Sequence, residues 1–151
     1  KVRREGPLAE VLADVKMPIE TENGASVVLS GKVSSLSSEW KTCCIDAGGW
    51  TFETPTASLA MGSQVRLRVL ARDVSIAVEK PDSISIRNRL QAEVEEIAAH
   101  PSEPAYQLVK LKCPNGEGRL VSRILRQSVT ELGLHPGSQV WALVKASAVI
   151  M

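Results

Sequence analysis

Two short segments carry the residue types from which a small oxyanion can be held without a metal. The first is Ser83-Ile84-Ser85-Ile86-Arg87-Asn88-Arg89-Leu90; the second, near the other end of the chain, is Leu143-Val144-Lys145-Ala146-Ser147. Each combines small hydroxyl side chains, cationic side chains and β-forming residues. A tetrahedral dianion needs many hydrogen-bond donors and little negative charge nearby. Backbone N–H groups, serine hydroxyls and a lysine or arginine meet that need, and bonds from the charged donors are the stronger ones. Ser128, at the expected start of a short helix, offers one more hydroxyl beside the positive end of a helix dipole. Periodicity alone also allows a plainer reading: Ser85 and Arg87 as polar strand positions, and Lys145 as a solvated lysine guarding a sheet edge.

Other chemistry is thinly supplied. Cys43, Cys44, Cys113 and His135 offer donor atoms for zinc, but no Cys-x-x-Cys pair exists, and buried cysteines more simply pack as small hydrophobes. The two histidines, His100 and His135, have no nucleophile pattern around them, so no acid, base and nucleophile are assembled. The Gly-x-x-x-x-Gly-Lys-Ser/Thr phosphate loop does not occur in these 151 residues. The expectation is therefore a binding module with no catalytic residues, no metal and no cofactor.

Composition narrows the class of ligand. A net charge of +1 argues against a dedicated polynucleotide binder, whose phosphate contacts demand a basic surface. Aromatic residues are 3% of the chain, too few to stack a run of bases. No apolar run is long enough to cross a bilayer, and Lys1-Val2-Arg3-Arg4 leads into Glu5-Gly6-Pro7 instead of the apolar core of a signal peptide. Three cysteines, two of them adjacent, do not make a disulfide framework, which points to the cytosol.

The elements that must position the two segments are strands, and they occur twice. Gly62-Ser63-Gln64-Val65 recurs as Gly137-Ser138-Gln139-Val140, 75 residues later, and Val69, Ala71 and Val74 match Val144, Ala146 and Val149 in the same register. Leu29-Ser30-Gly31-Lys32-Val33 aligns with Leu90-Gln91-Ala92-Glu93-Val94 at a shorter offset of 61. Two copies of one small β unit are predicted, since a solenoid needs more repeats.

In the first copy, Val27–Val33, Lys41–Ile45 and Trp50–Glu53 read as strands, and Val65–Val78 finishes the unit. In the second, Ile84–Ile97, Ala105–Cys113, Arg119–Leu125, Val140–Val144 and Ala148–Met151 do so. Asn115-Gly116 marks a hairpin turn. Ser128-Val129-Thr130-Glu131 has capping-box spacing, so a helix is expected over Ser128–Leu132, stopping at Gly133. A further short helix is expected over Pro7–Leu12, with Leu8, Val11 and Leu12 on one face. The predicted fold is all-β with short helices: two tandem OB-like five-stranded barrel lobes. Residues 1–22 form a linker, 23–80 the first lobe and 81–151 the second.

The paired segments, together with Val65-Arg66-Leu67-Arg68-Val69-Leu70-Ala71-Arg72-Asp73-Val74-Ser75-Ile76-Ala77, resemble the molbindin or transport-associated OB domains. These domains occur in molybdate storage proteins, molybdate-responsive regulators and the ATP-binding subunits of molybdate ABC transporters. The transporter subunit, whose regulatory part carries two such lobes in tandem, is the best match.

The resemblance implies molybdate or tungstate as ligand, held by Ser85, Ile86, Arg87, Asn88, Lys145, Ala146 and Ser147, with Ser128 adding to the set. In the resembling proteins the two segments meet across a subunit boundary, which implies at least a homodimer. It further implies an ATPase domain upstream, a membrane permease as partner and a place at the cytoplasmic face of the membrane. A storage protein, or a structural OB domain that binds no ligand, are the alternatives. Two departures bear on them. Leu125 stands where many relatives have a threonine. In the first lobe, Leu70 and Arg72 occupy the places of Lys145 and Ser147, so that lobe is expected to lack its own motif.

Overall fold

The alternation of apolar and polar residues is realised as two antiparallel sheets. The structure, a computed structural model, describes residues 25–56 and 58–151; the helix expected over Pro7–Leu12 lies outside them. The first sheet contains β1 (Ser26–Ser37), β2 (Thr42–Ala47), β3 (Trp50–Pro55) and β4 (Gln64–Leu70), in the order β3-β2-β1-β4. The second contains β5 (Ser75–Ala77), β6 (Asn88–Ala99), β7 (Tyr106–Lys112), β8 (Arg119–Leu125) and β9 (Gln139–Val144), in the order β5-β9-β6-β7-β8. One short helix, α1 (Arg126–Leu132), follows β8, and single 3-10 turns span Ala71–Asp73 and Ala146–Ala148. The protein is thus all-β with short helices, built from two OB-like sheets.

Along β1, Val27, Leu29 and Val33 point inward while Val28, Ser30 and Lys32 face out, the period of two that a half-buried strand requires. These residues join Ile45, Phe52 and Leu67 of the first sheet and Val94, Leu111, Leu120 and Val140 of the second in one continuous core. The two lobes are therefore not separate globules.

The repeated Gly-Ser-Gln-Val has a structural cause. β1 carries a bulge just after Val33, and β6 carries one just after Val94, its counterpart at the 61-residue offset. At each bulge the Gly-Ser turn supplies the missing partners. Gly62 N–H donates to Val33 O at 2.9 Å and Val33 N–H to Ser63 O at 3.0 Å; Gly137 and Ser138 do the same for Val94 at 2.8 and 2.9 Å. Both glycines have positive φ, 81° and 98°, where a side chain would be strained.

Beyond β4 and β9 the lobes exchange strands. β5 follows the first lobe in sequence yet pairs with β9, Ser75 opposite Leu143. In return Ile150, 75 residues after Ser75, bridges Arg68, 75 residues before Leu143. Arg68 N–H donates to Ile150 O at 2.7 Å, and Ile150 N–H donates back to Arg68 O at 3.1 Å. The expectation that Val65–Val78 would finish the first lobe is corrected here: only β4 belongs to it, and β5 serves the second sheet.

Three other boundaries also move. The strand expected from Ile84 begins at Asn88, because residues 83–85 bend. The strand expected over Ala148–Met151 is reduced to the bridge at Ile150 by the 3-10 turn Ala146–Ala148. The helix starts at Arg126 instead of Ser128, since Arg126 N–H is already fixed by Ala105 O at 2.8 Å. Glu131 does not close a capping box but accepts from Gln127 Nε2 at 3.0 Å. Gly133, at φ 64°, ends the helix in the left-handed conformation as expected.

Two glycine hairpins lock the lobes together. Gly48-Gly49, between β2 and β3, lies against Gly116 and Gly118, between β7 and β8, and Gly118 N–H donates to Gly48 O at 2.8 Å. A Cβ on Gly118 would sit 2.7 Å from Gly48 O and 3.0 Å from the Trp50 ring. Gly118→Ala is therefore expected to destabilise the fold by about 1–3 kcal/mol through overpacking. Denaturant unfolding reads this directly, and an unchanged midpoint would mean that the hairpins part without cost.

Candidate anion-binding site

The two segments singled out in the sequence leave the same end of one strand pair. In the antiparallel β6–β9 ladder Asn88 stands opposite Val144, so Ser85-Ile86-Arg87 runs into β6 just where Lys145-Ala146-Ser147 runs out of β9. The register brings them together within one chain.

The third participant comes from the first lobe. The Asn88 side chain, 3% exposed, reads the backbone of β3 as a neighbouring strand would: Glu53 N–H donates to Asn88 Oδ1 at 2.7 Å, and Asn88 Nδ2 donates to Glu53 O at 3.0 Å. With its backbone fixed, Glu53 directs its carboxylate at Arg87, whose Nε lies 3.0 Å from Glu53 Oε1. Thr54 Oγ1, buried, donates to Ala146 O at 3.3 Å, and Trp50 Nε1 to Gln91 O at 2.8 Å. Four hydrogen bonds and an ion pair thus seat the mouth of the β6–β9 pair on β3.

Two cavities open there. One, of about 460 Å³, is lined by Trp40, Thr42, Glu53, Arg87 and Ala146. The other, about 210 Å³ and more polar, is lined by Arg72, Asp73, Ser75, Ile86, Leu143, Lys145 and Ala148. Arg87 and Ala146 thus share one cavity, Ile86 and Lys145 the other, and Ser85 and Ser147 are exposed on the segments between. Lys145 is exposed and precedes the 3-10 turn, its own backbone still extended at φ −62° and ψ 145°. Asn88 lines neither cavity, because its amide is committed to Glu53.

Ser128 is not brought to this place. It lies in the first turn and a half of α1, which packs on β7 and β8 on the far side of β6 from β9, and it lines neither cavity. Leu125 caps that helix with no side-chain hydrogen bond. Arg72 stands in the first 3-10 turn, the repeat partner of Ala146–Ala148, and lies 3.9 Å from Asp73. The acidic residues Glu95 and Glu96 sit toward the other end of β6, paired with Arg119 at 2.9 Å and Lys110 at 3.1 Å.

Sequence reasoning missed Glu53, Thr54, Thr42 and Trp40. Only the last left a local signal, a tryptophan in a polar turn that proves 71% exposed. Of the cysteines, Cys43 and Cys113 pack in the core. Burial, then the neighbouring Cys44, pushes the Cys43 thiol above its ordinary pKa, partly offset by a hydrogen bond with Thr56. A protonated, buried thiol is a packing group. No group of three metal-ligating side chains occurs among the described residues.

Residues 84–151 match the model of the TOBE domain family. The whole chain is similar to Molybdenum import ATP-binding protein ModC of Methylococcus capsulatus, 33% identical over 145 residues, 96% of this chain and 40% of that protein. It is 42% identical over 138 residues to ModC of Brucella abortus, 91% of this chain and 37% of that protein. The chain thus spans about two fifths of the length of the curated relatives it matches. Among solved structures it resembles the cytoplasmic molybdate-binding protein ModG, determined with molybdate bound, with a TM-score of 0.68 and 28% identity over 82% of this chain and 92% of that one. No helix among the described residues is long and apolar enough to cross a membrane.

Proposed function

We propose that this chain is the oxyanion-binding regulatory part of a molybdate import ATP-binding subunit. It binds molybdate or tungstate and reports the cytoplasmic supply to an ATPase domain joined through residues 1–22, with residues 23–80 and 81–151 as the two lobes, which exchange β5 and Ile150 between their sheets. The observation that supports this reading is the β6–β9 register, in which Asn88 stands opposite Val144, so that the segment ending in Arg87 and the segment beginning with Lys145 flank the same end of the strand pair. Likeness to ModC and to ModG supports the choice of ligand.

Its partners are a second copy of the chain, the ATPase domain and a membrane permease, at the inner face of the membrane. Coupling requires that the oxyanion bind two states of that assembly with different affinity. The likeness to ModG over 92% of that chain favours, as a second reading, a molybdate-binding protein with no motor attached. The bond between Arg87 and Glu53 favours a third, a structural domain whose cation is already satisfied.

Tryptophan fluorescence tests the site. Trp50 is buried and hydrogen-bonded and Trp141 lies under Lys80 at 5.3 Å, while Trp40 is exposed on the cavity that holds Arg87. Molybdate is expected to change the emission saturably, and Trp40→Phe to remove most of that change. A change that survives in Trp40→Phe would move the ligand away from this cavity.

A further inference from the structure

In the larger of the two cavities at the entry to β6, one acidic side chain already occupies the donor of a cation. Glu53 presents a carboxylate oxygen to Arg87 Nε at 3.0 Å, and both residues line the 460 Å³ cavity with Ala146. The carboxylate is not a stray surface group. Asn88 grips the N–H and C=O of the same residue at 2.7 and 3.0 Å, and the side chain is only 25% exposed, whereas that of Arg87 is 63% exposed. A backbone-anchored carboxylate beside a solvated guanidinium has the form of an internal anion occupying a cation's donor.

We infer that Glu53 is an internal competitor for the oxyanion: the ligand must displace its carboxylate from Arg87, so that Glu53 sets the concentration at which the site fills. This rests on the proposed function and adds a specificity-determining residue to it. Two effects act in one direction. While Glu53 holds Arg87, the strongest donor on that side of the cavity is unavailable. Once displaced, its charge still stands a few ångströms from a dianion and repels it. A site so arranged stays empty at low oxyanion concentration and disfavours weakly bound monoanions, which gain less from Arg87 than a dianion does.

Calorimetric titration of the intact chain with sodium molybdate tests this, using Glu53→Gln and Glu53→Ala. Either leaves the backbone that Asn88 holds unchanged, and circular dichroism confirms that each variant is folded. Both variants are expected to bind molybdate about tenfold or more tightly than the parent, the size of effect that one charge removed at this range produces. Arg87→Gln is expected to cost the parent little and the Glu53→Gln variant clearly more, because only there is the guanidinium free for the ligand. If the parent binds and both Glu53 variants bind with the same or lower affinity, the inference is overturned while the proposed function stands. If neither the parent nor any variant binds, both fall. A silent parent with a binding Glu53→Gln variant supports both.

Discussion

Lys145→Ala is expected to weaken molybdate binding on the order of ten- to a hundredfold, the value of one charge-assisted hydrogen bond. Lys145 is exposed, leaves β9 in extended conformation and stands beside the segment ending in Arg87, so its ammonium can approach an anion with little loss of solvation. Ser85→Ala should cost less, since a hydroxyl is one neutral donor among several. Arg72→Ala should also cost less than Lys145→Ala, although the structure makes it a less remote comparison than the repeat suggests. Arg72 lines the same small cavity as Lys145, with Asp73 3.9 Å from it to offset its charge. Arg66→Ala, which removes the same charge from a different cavity of the first lobe, is the cleaner control and should bind like the parent.

Asn88→Ala is expected to be the most damaging single change near the site. The amide satisfies both backbone groups of Glu53, and its removal leaves an N–H and a C=O of a part-buried strand without partners. Unsatisfied groups of this kind cost roughly 1–3 kcal/mol each when buried, so a loss of about 2 kcal/mol and a fall of about 4–8 °C in Tm are expected. Binding should weaken as well, because the entry to β6 would no longer be held against β3. Thermal unfolding with and without molybdate separates the two effects. A variant that melts like the parent would mean that the clasp between the lobes is not what seats the site.

How much of this could be read from the chain depended on whether the cause was local. The bulge-and-turn unit repeated because Gly62 and Gly137 each need a positive φ and each complete a bulge on the preceding strand, so the sequence had to repeat with it. The Gly133 stop is likewise set by a left-handed conformation that glycine allows, whereas the turn at Asn115-Gly116 forms without the positive φ expected of it, and Gly116 instead leaves room for the backbone of Gly48-Gly49. The exchange of β5 for Ile150 has no such local mark, since the apolar residues Val74, Ile76 and Ala77, and Ala148, Val149 and Ile150, suit either sheet and only the assembled core decides between them.

The start of α1 was misread for a related reason. The Ser128-x-x-Glu131 spacing is a genuine local preference, but the backbone bond from Arg126 to Ala105 starts the helix earlier. That shift takes Ser128 out of the helix-end position from which it was expected to serve an anion. The site was legible as two segments of suitable chemistry and not as a cavity. Glu53, which faces Arg87, lies 34 residues upstream on a strand whose pattern looks ordinary.

The central claim, that a metal oxyanion binds where β6 begins and β9 ends, is tested most directly by isothermal titration of the purified chain and of Lys145→Ala with molybdate, tungstate and sulfate. Saturable binding of molybdate or tungstate to the parent, weakened at least about tenfold in Lys145→Ala, is the predicted result. Absence of binding to the parent, or equal binding by parent and variant, would contradict it.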